Sequence, residues 1–314
     1  MIAALAGGVG AARMLRGLVQ VTDPAELTAV VNTGDDTVLH GLHISPDIDT
    51  VTYTLAGRND EARGWGLAGE TWTVMAALED LGGDAWFQLG DRDLATHLYR
   101  TQRLAEGATL SAVTADLAAR MGVRIRLLPM SDDPVRTSLV LAADGRRVGF
   151  QDYFVRLGHA VAVSSVHFEG AAESRPAPGV LEAIEDAETV VICPSNPVVS
   201  LGPLLAVPGV AGLLRSRRST VVAVSPIVGG AALKGPADRL LAELGEEPSV
   251  VGVARRYAEI AGCLVVDEVD ADLAGAVADC GLRCVVAPTV MHGPSEAAAL
   301  AEVVLAAGRE GSTR

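Results

Sequence analysis

The chain has 314 residues, enough for one large α/β domain with an insertion or for two domains. Its net charge of −14 disfavours nucleic acid and anionic membranes as partners, because both attract basic patches. Without a run of about eighteen apolar residues or a basic leader before a short apolar core, the sequence predicts a soluble, cytoplasmic protein.

The first element is an apolar strand over residues 2–6, followed by the glycine-rich turn GGVG and a helix over residues 11–19. Amides at a helix N-terminus favour phosphate, so Gly8 and Gly10 are candidate phosphate ligands, and Arg13 in the first turn adds a charge. Arg13 stands where the dinucleotide fingerprint has its third glycine. The glycines alternatively serve only the tight turn.

Two acidic clusters follow the second strand, residues 27–31: VVNTGDD with Asp35 and Asp36, and SPDIDT with Asp47 and Asp49. Mg²⁺ is held by one or two carboxylates together with substrate phosphate oxygens, so these acids predict a magnesium site. We assign the metal and the catalytic role to Asp35, Asp36 and Asp49, and Asp49 can also orient a hydroxyl or act as a base. Alternatively Asp35 and Asp36 cap a helix or turn, and Asp47 and Asp49 do the same after Pro46, where a helix is expected to start near Asp49 and Thr50.

Helices are predicted over residues 71–81 and 94–104, and the segment LGDRDLATH lies at the start of the second. In the functional interpretation Arg92 binds a phosphate, and Asp91 or Gln88 contacts a polar ring. In the alternative, the aspartate caps the helix and the arginine forms an exposed salt bridge.

Residues 109–170 differ in pattern, with a helix over 110–121, three apolar runs and a hairpin signal at Asp144-Gly145. From residue 179 strands and helices alternate again, with strands near 189–193, 220–225, 263–267 and 283–287. We therefore predict a Rossmann-like, doubly wound, mostly parallel sheet in one domain, with core residues 1–108 and 171–314 and an inserted α+β subdomain over 109–170. Residues 310–314 are predicted to be disordered.

Ser195 and Asn196 follow the strand near 189–193, in the segment PSNPVVSLGP. Ligands of doubly wound sheets bind beyond the carboxyl ends of the strands, so both side chains are candidates to bind a phosphate or base. Turn chemistry alone also explains Asn and Pro at this point.

Eight ordered motifs resemble the family of 2-phospho-L-lactate transferases, whose actinobacterial members are phosphoenolpyruvate transferases of coenzyme F-420 assembly. The resemblance runs nearly end to end, through GGVGAAR, VVNTGDD, SPDIDTVTYTLAG, LGDRDLATH, LLPMSDDPV, FQDYFVR, PSNPVVSLGP and VVAVSPIVGG.

The resemblance implies a Mg²⁺-dependent transfer onto the ribityl hydroxyl of the deazaflavin FO, 7,8-didemethyl-8-hydroxy-5-deazariboflavin. The donor is a guanosine diphosphate adduct of phosphoenolpyruvate or phospholactate, and GMP leaves. By motif, Asp49 is implied to contact FO. Gln88 stands where some members carry lysine, and an amide cannot neutralise charge as an ammonium does.

Two other functions fit parts of the sequence. A non-catalytic nucleotide-sugar-binding regulator of the gluconeogenesis-factor type would share the glycine-rich turn but would not need the SPDID and LGDRD segments. An NAD-dependent oxidoreductase would need the third fingerprint glycine and an acid directly after the second strand. We further predict a homodimer, the commonest symmetric assembly, and the sequence does not distinguish enolpyruvyl from lactyl transfer.

Overall fold

A seven-stranded sheet runs through the centre of the structure, a computed structural model that describes residues 1–312. Three small antiparallel sheets accompany it. The strands are β1 (Ile2–Ala6), β2 (Leu27–Val31), β3 (Thr37–Leu39), β4 (Leu42–Ile44), β5 (Arg126–Pro129), β6 (Arg136–Leu141), β7 (Arg147–Gly149), β8 (Val163–Glu169), β9 (Thr189–Ile192), β10 (Val221–Val224), β11 (Ile227–Val228), β12 (Ala231–Ala232), β13 (Cys263–Val266) and β14 (Arg283–Val286).

The central sheet has the strand order β14-β13-β10-β9-β1-β2-β5, and every pair in it is parallel. The chain passes from β1 outward through β2 to β5 and then returns to β9 on the other side of β1. The direction of winding therefore reverses between β1 and β9, which makes their carboxyl ends the expected place for a ligand. The predicted doubly wound α/β fold is confirmed.

Both faces of this sheet are buried, which explains why its strands are continuous apolar runs. In β1, Leu5 packs into the core on one face, and Ala4 and Ala6 pack into the core on the other. The two alanines leave room for the first and last helices, which cover that face.

Helices cover both faces of the sheet. The first and last lie against each other so closely that a Cβ on Gly17 would approach the Ala297 carbonyl oxygen to 2.1 Å. The helices are α1 (Gly8–Val21), α2 (Pro46–Leu55), α3 (Thr73–Asp80), α4 (Asp93–Ala105), α5 (Leu110–Arg120), α6 (Val180–Asp186), α7 (Leu201–Ala206), α8 (Val210–Ser216), α9 (Ala237–Glu243), α10 (Val250–Tyr257), α11 (Ala274–Asp279) and α12 (Pro294–Ser312).

The predicted insertion contains a three-stranded antiparallel sheet of order β7-β6-β8, and β6 and β7 form the hairpin expected at Asp144-Gly145. Its first strand is placed differently: β5 pairs with β2 and forms the edge of the central sheet. The antiparallel sheet thus begins only at β6. The division into core and subdomain over residues 109–170 stays a prediction.

Two local predictions were wrong. The helix after the second acidic cluster begins at Pro46, so Asp49 lies inside its first turn and neither it nor Thr50 caps it. Residues 310–312, predicted to be disordered, are the end of α12, while residues 313 and 314 lie outside the described residues. No helix within residues 1–312 combines the length and apolarity needed to cross a membrane. The cytoplasmic location stays a prediction.

Candidate functional site

A cavity of about 650 Å³ opens at the carboxyl ends of β1 and β9, where the winding of the sheet reverses. The glycine turn after β1 and the segment after β9 form its base, and the start of α2 forms one wall. A cavity of this size accommodates a nucleotide-sized ligand. Its apolar wall is lined by Trp65, Trp86, Phe87, Phe150 and Phe154.

The glycine turn packs backbone against backbone on the segment after β9. The Gly7 amide donates to Ser195 Oγ at 3.1 Å, and a Cβ on Gly10 would lie 2.2 Å from the Pro194 carbonyl oxygen. Gly8 has φ +76°, a conformation that favours glycine. Gly8 and Gly10 both line the cavity at the start of α1, and Gly10 is in addition required by the close packing against Pro194.

Asp35 and Asp47 are buried carboxylates that both line the cavity. The Asn32 amide donates to Asp47 Oδ2 at 2.9 Å, while the buried Asp35 Oδ1 has no partner within residues 1–312. Burial raises the pKa of Asp35 well above its usual range, and the Asp47 charge raises it further. Burial likewise raises the pKa of Asp47 to about 6, although bonds from Asn32 and the Gly8 amide oppose this. The two acids therefore suit a cation as their counter-charge.

Asp36 lies beside this pair but outside the cavity lining. It accepts a hydrogen bond from Ser45 Oγ at 2.8 Å. Burial raises its pKa to about 7, although the Ser45 hydrogen bond and the Arg136 charge both lower it. The structure therefore gives Asp36 a position behind the cavity wall.

Asp49 lines the cavity, but its two carboxylate oxygens are held by the guanidinium of Arg100. Burial lowers the pKa of Arg100, but the Asp49 charge, its hydrogen bond and the Asp36 charge together outweigh burial, so the pKa is raised. His97 Nδ1 lies 3.3 Å from Arg100 Nη1, and its Nε2 lies 3.3 Å from Asp93 Oδ2. Tyr53 donates its hydroxyl hydrogen to Asp93. These five residues thus form a buried polar chain, of which all members except Arg100 line the cavity.

Of the other predicted residues, Arg13 and Gln88 line the cavity. Arg13 donates to the Met291 carbonyl oxygen at 3.3 Å, and Gln88 donates to the Ala85 carbonyl oxygen at 2.7 Å. Both contacts are hydrogen bonds to backbone carbonyl oxygens and neither is an ion pair, so both side chains can still contact a ligand.

Asp91 and Arg92 lie outside the cavity lining. Asp91 accepts hydrogen bonds from Thr71 Oγ1 and from the first amides of α3, at Thr73 and Val74. These bonds lower its pKa to about 2. Arg92 donates to the Ala68 carbonyl oxygen at 2.7 Å. Here the structure favours the capping alternative over ligand binding, with two differences: Asp91 caps α3 and not the helix that follows it, and Arg92 forms no salt bridge within residues 1–312.

Ser195 and Asn196 both line the cavity at the end of β9. Ser195 Oγ accepts from the Gly7 amide, and Asn196 Oδ1 accepts from the amides of Val198 and Val199. The structure therefore combines the two interpretations, because Asn196 forms a turn at the ligand edge.

Comparison with known proteins identifies the family. The family model described as "2-phospho-L-lactate transferase CofD" matches residues 2–280. A protein of Streptomyces griseus named "Phosphoenolpyruvate transferase" is 46% identical over 98% of each chain, and one of the same name from Kitasatospora aureofaciens is 46% identical over 97% of each chain.

The chain belongs to the 2-phospho-L-lactate transferase family.

Membership of this family makes the chain a transferase enzyme, as predicted, so the regulator and oxidoreductase alternatives lose their support. A crystal structure of a UPF0052 family protein from Bacillus halodurans has a TM-score of 0.60 and covers 97% of this chain and 98% of its own. At 18% identity it supports the fold alone.

Two acids of the candidate site fit the expected magnesium ion. Within residues 1–312 no group of three or more His, Cys, Asp or Glu side chains is arranged to hold a metal, and Asp35, Asp36 and Asp49 do not form such a group. Asp35 and Asp47 nevertheless fit Mg²⁺, since this ion is often bound by one or two carboxylates with substrate oxygens and waters. The unpartnered Asp35 oxygen has the chemistry of a ligand.

The sequence patterns give no separate role to Asp47 or Arg100 in this candidate site. The signal for Asp47 is its place in the SPDID segment at the start of α2. Arg100 carried no signal, because it lies 51 residues from Asp49 and occupies a position typical of an exposed helical arginine.

Proposed function

We propose that this protein transfers a phosphoenolpyruvyl or 2-phospholactyl group from a guanosine diphosphate adduct to the ribityl hydroxyl of FO. The hydroxyl oxygen forms a bond to the phosphorus that bears the enolpyruvyl or lactyl group. The bond from that phosphorus to the phosphate oxygen of GMP breaks, and the hydroxyl proton leaves. The product is the dehydro or lactyl form of the coenzyme F-420 precursor.

One observation carries this proposal: proteins named phosphoenolpyruvate transferase are 46% identical to the chain over nearly the full length of both partners. Their names favour the enolpyruvyl donor. The cytoplasmic location and the homodimer remain predictions.

The acids of the cavity support a metal-assisted transfer. Asp35 and Asp47 would hold Mg²⁺, which when bound supplies positive charge to the diphosphate. The Gly8 amide holds Asp47 in place, and Arg13, which also lines the cavity, adds a cation for the phosphates. Ser195 and Asn196 are placed to contact the phosphates or the guanosine.

Asp49 supports the acceptor half of the reaction. Arg100 fixes the orientation of its carboxylate, whose remaining lone pairs can accept the hydrogen of the FO hydroxyl. The aromatic wall of the cavity suits the planar deazaflavin ring, because aromatic side chains pack well on flat ligands. Positioning of this kind is the main requirement of in-line phosphoryl transfer.

The direct test is incubation of the protein with FO, Mg²⁺ and each guanosine adduct in turn, with mass detection of the deazaflavin product and of GMP. We expect equimolar product and GMP, with the larger kcat/KM for the enolpyruvyl adduct. The variant Asp49→Asn should lower kcat by about 100-fold or more if the carboxylate acts on the hydroxyl. Absence of GMP release with both adducts would refute the reaction.

A further inference from the structure

Lys234 is the single lysine among the 25 Lys and Arg residues of the chain. The other 24 basic residues of this count are arginines. They include residues at exposed helical positions, where lysine and arginine have similar helix propensities. The ammonium of Lys234 is therefore the one primary amine among the side chains of the sequence.

The structure places this lysine on the cavity. It follows the small hairpin of β11 and β12 beyond the carboxyl end of β10. The hairpin is anchored by the Gly229 amide, which donates to Asp270 Oδ2 at 2.9 Å. Lys234 Nζ extends to the loop on the opposite side, where a Cβ on Gly64 would lie only 2.1 Å from it. Lys234 and Gly64 both line the cavity.

Two arginines, Arg13 and Arg63, also line the cavity, and each already has a partner. Arg63 forms an ion pair with Asp60 at 3.0 Å and lies over the Trp65 and Trp72 rings. Arg13 donates to a backbone carbonyl. Lys234 forms no ion pair or hydrogen bond within residues 1–312. Its charge is therefore available to a ligand.

We propose that the Lys234 ammonium binds an oxyanion of the donor, either the carboxylate of the transferred group or a phosphate oxygen, an assignment that rests on the proposed function. Asp35 and Asp47, which form no ion pair within residues 1–312, give the cavity a negative charge that repels a polyanionic donor. A metal ion at Asp35 and Asp47 neutralises only the oxygens near it, so a further donor oxyanion needs its own cation.

The contact with Gly64 explains the choice of lysine. An ammonium is a compact point charge with three donors that reorient freely, whereas a guanidinium is planar and wider. Gly64 has no side chain and adopts φ +81°, so the space that it leaves admits the small group. A ligand oxygen can then replace the water around the ammonium without movement of the loop.

A single lysine makes the test specific, because the chain has only two primary amines, the Lys234 side chain and the α-amine of Met1. The protein is acetylated with a limiting amine reagent, and the rates at the two amines are compared by peptide mass spectrometry. The α-amine, which pairs with Glu188 at 3.3 Å, is the internal reference. The probes are phosphoenolpyruvate, GMP and guanosine, each with Mg²⁺ and with binding followed by calorimetry.

We expect phosphoenolpyruvate or GMP to slow acetylation of Lys234 by at least about 5-fold relative to the α-amine. Protection by phosphoenolpyruvate alone identifies the carboxyl-bearing group as the partner, and protection by GMP identifies the nucleotide phosphate. Equal protection by guanosine, which has no oxyanion, would overturn the proposal. If phosphoenolpyruvate and GMP bind without protecting Lys234, the proposal falls and the proposed function stands, because that function is tested separately by GMP release from the two adducts.

A matched pair of variants checks the charge. Lys234→Gln should weaken binding of the protecting probe by about 10-fold, as expected for the loss of one charge-assisted hydrogen bond. Arg124→Gln makes the same change of charge at an exposed site just before β5, at the opposite edge of the sheet, and should bind normally. Equal affinity of Lys234→Gln and Arg124→Gln for that probe would overturn the proposal.

Discussion

The guanidinium of Arg100 donates hydrogen bonds to both carboxylate oxygens of Asp49. The Arg100 side chain is 1% exposed and the Asp49 side chain 8%. Asp49 therefore cannot turn freely toward a metal ion, and its orientation in the cavity is set from behind. This relationship separates the role of Asp49 from that of Asp35, whose pKa is raised by burial and by the neighbouring Asp47 charge.

Removal of Arg100 should destabilise the fold strongly. We expect Arg100→Met to lower the free energy of unfolding by about 3–5 kcal/mol, because it leaves Asp49 buried and uncompensated. Urea denaturation at pH 7 measures this. The exposed pair of Arg120 and Asp116 is the control, and Arg120→Met should leave the stability nearly unchanged. Equal effects of the two substitutions would contradict a buried ion pair.

Neutralisation of Asp47 should raise the stability of the fold and lower the transferase activity. Its pKa of about 6 in the folded protein lies above the usual value of 3.8, so stability falls as the pH rises from about 4 to 6 and stays low above that range. We expect Asp47→Asn to raise the unfolding free energy at pH 8 by about 1–3 kcal/mol while lowering kcat at least about 100-fold. The control Asp84→Asn removes an exposed carboxylate and should change neither. A less stable Asp47→Asn variant would argue against a destabilising charge at this site.

Binding of Mg²⁺ should depend on pH. The metal needs ionised Asp35 and Asp47, whose pKa values are both raised, so affinity rises with pH. Below pH 6 we expect the Kd to increase about tenfold for each unit of pH decrease and each proton displaced. Calorimetry in buffers of different ionisation enthalpy counts those protons. A Kd that stays constant between about pH 5 and pH 7 would exclude this pair as the ligands.

Asp91 should contribute to the stability of the fold and not to catalysis. Asp91→Ala removes the acceptor for the first amides of α3, so we expect a lower melting temperature with kcat/KM within about twofold of the wild type. The folded pKa of about 2 lies below the usual value of 3.8, so the stabilisation is present above about pH 4 and is lost as the pH falls through 2. A raised KM for FO in a well-folded variant would return Asp91 to the binding site.

The two glycine substitutions Gly10→Ala and Gly212→Ala should have opposite signs. Gly10→Ala forces a methyl group to within 2.2 Å of the Pro194 carbonyl oxygen and should cost about 1–3 kcal/mol. Gly212 lies in α8, where an added Cβ would have no neighbouring atom within 4 Å, so Gly212→Ala should stabilise by about 0.5–1 kcal/mol. Thermal denaturation compares them. Tolerance of Gly10→Ala would mean that the turn separates from β9 more easily than this packing allows.

Local sequence patterns predicted the fold well because buried parallel strands leave clear signals. The apolar runs near residues 189–193 and 263–267 are β9 and β13, with their ends within one residue of the prediction. The glycine turn and the acids after β2 likewise pointed to the edge where the cavity lies. Each of these signals is contained within a short stretch of chain.

The failures share a physical cause, which is that the deciding partner is distant in sequence. The Arg100 partner of Asp49 lies 51 residues away, and the partners of Asp91, Thr73 and Val74, precede it by 18 and 17 residues. The apolar pattern of β5 was correct, but only the tertiary fold decides that it pairs with β2. The local apolar pattern thus predicts that a segment is a strand, whereas its place in a sheet depends on pairing with a strand distant in sequence.

The close crossing of Gly17 and Ala297 has a consequence for synthesis on the ribosome. Helix α12 covers the apolar side of α1, yet it is translated much later, because α1 ends at Val21 and α12 begins at Pro294. That side of the nascent chain stays uncovered until α12 emerges, so earlier segments need a chaperone or a provisional packing partner. A chain shortened to the matched residues 2–280 would keep this exposed surface permanently and should aggregate.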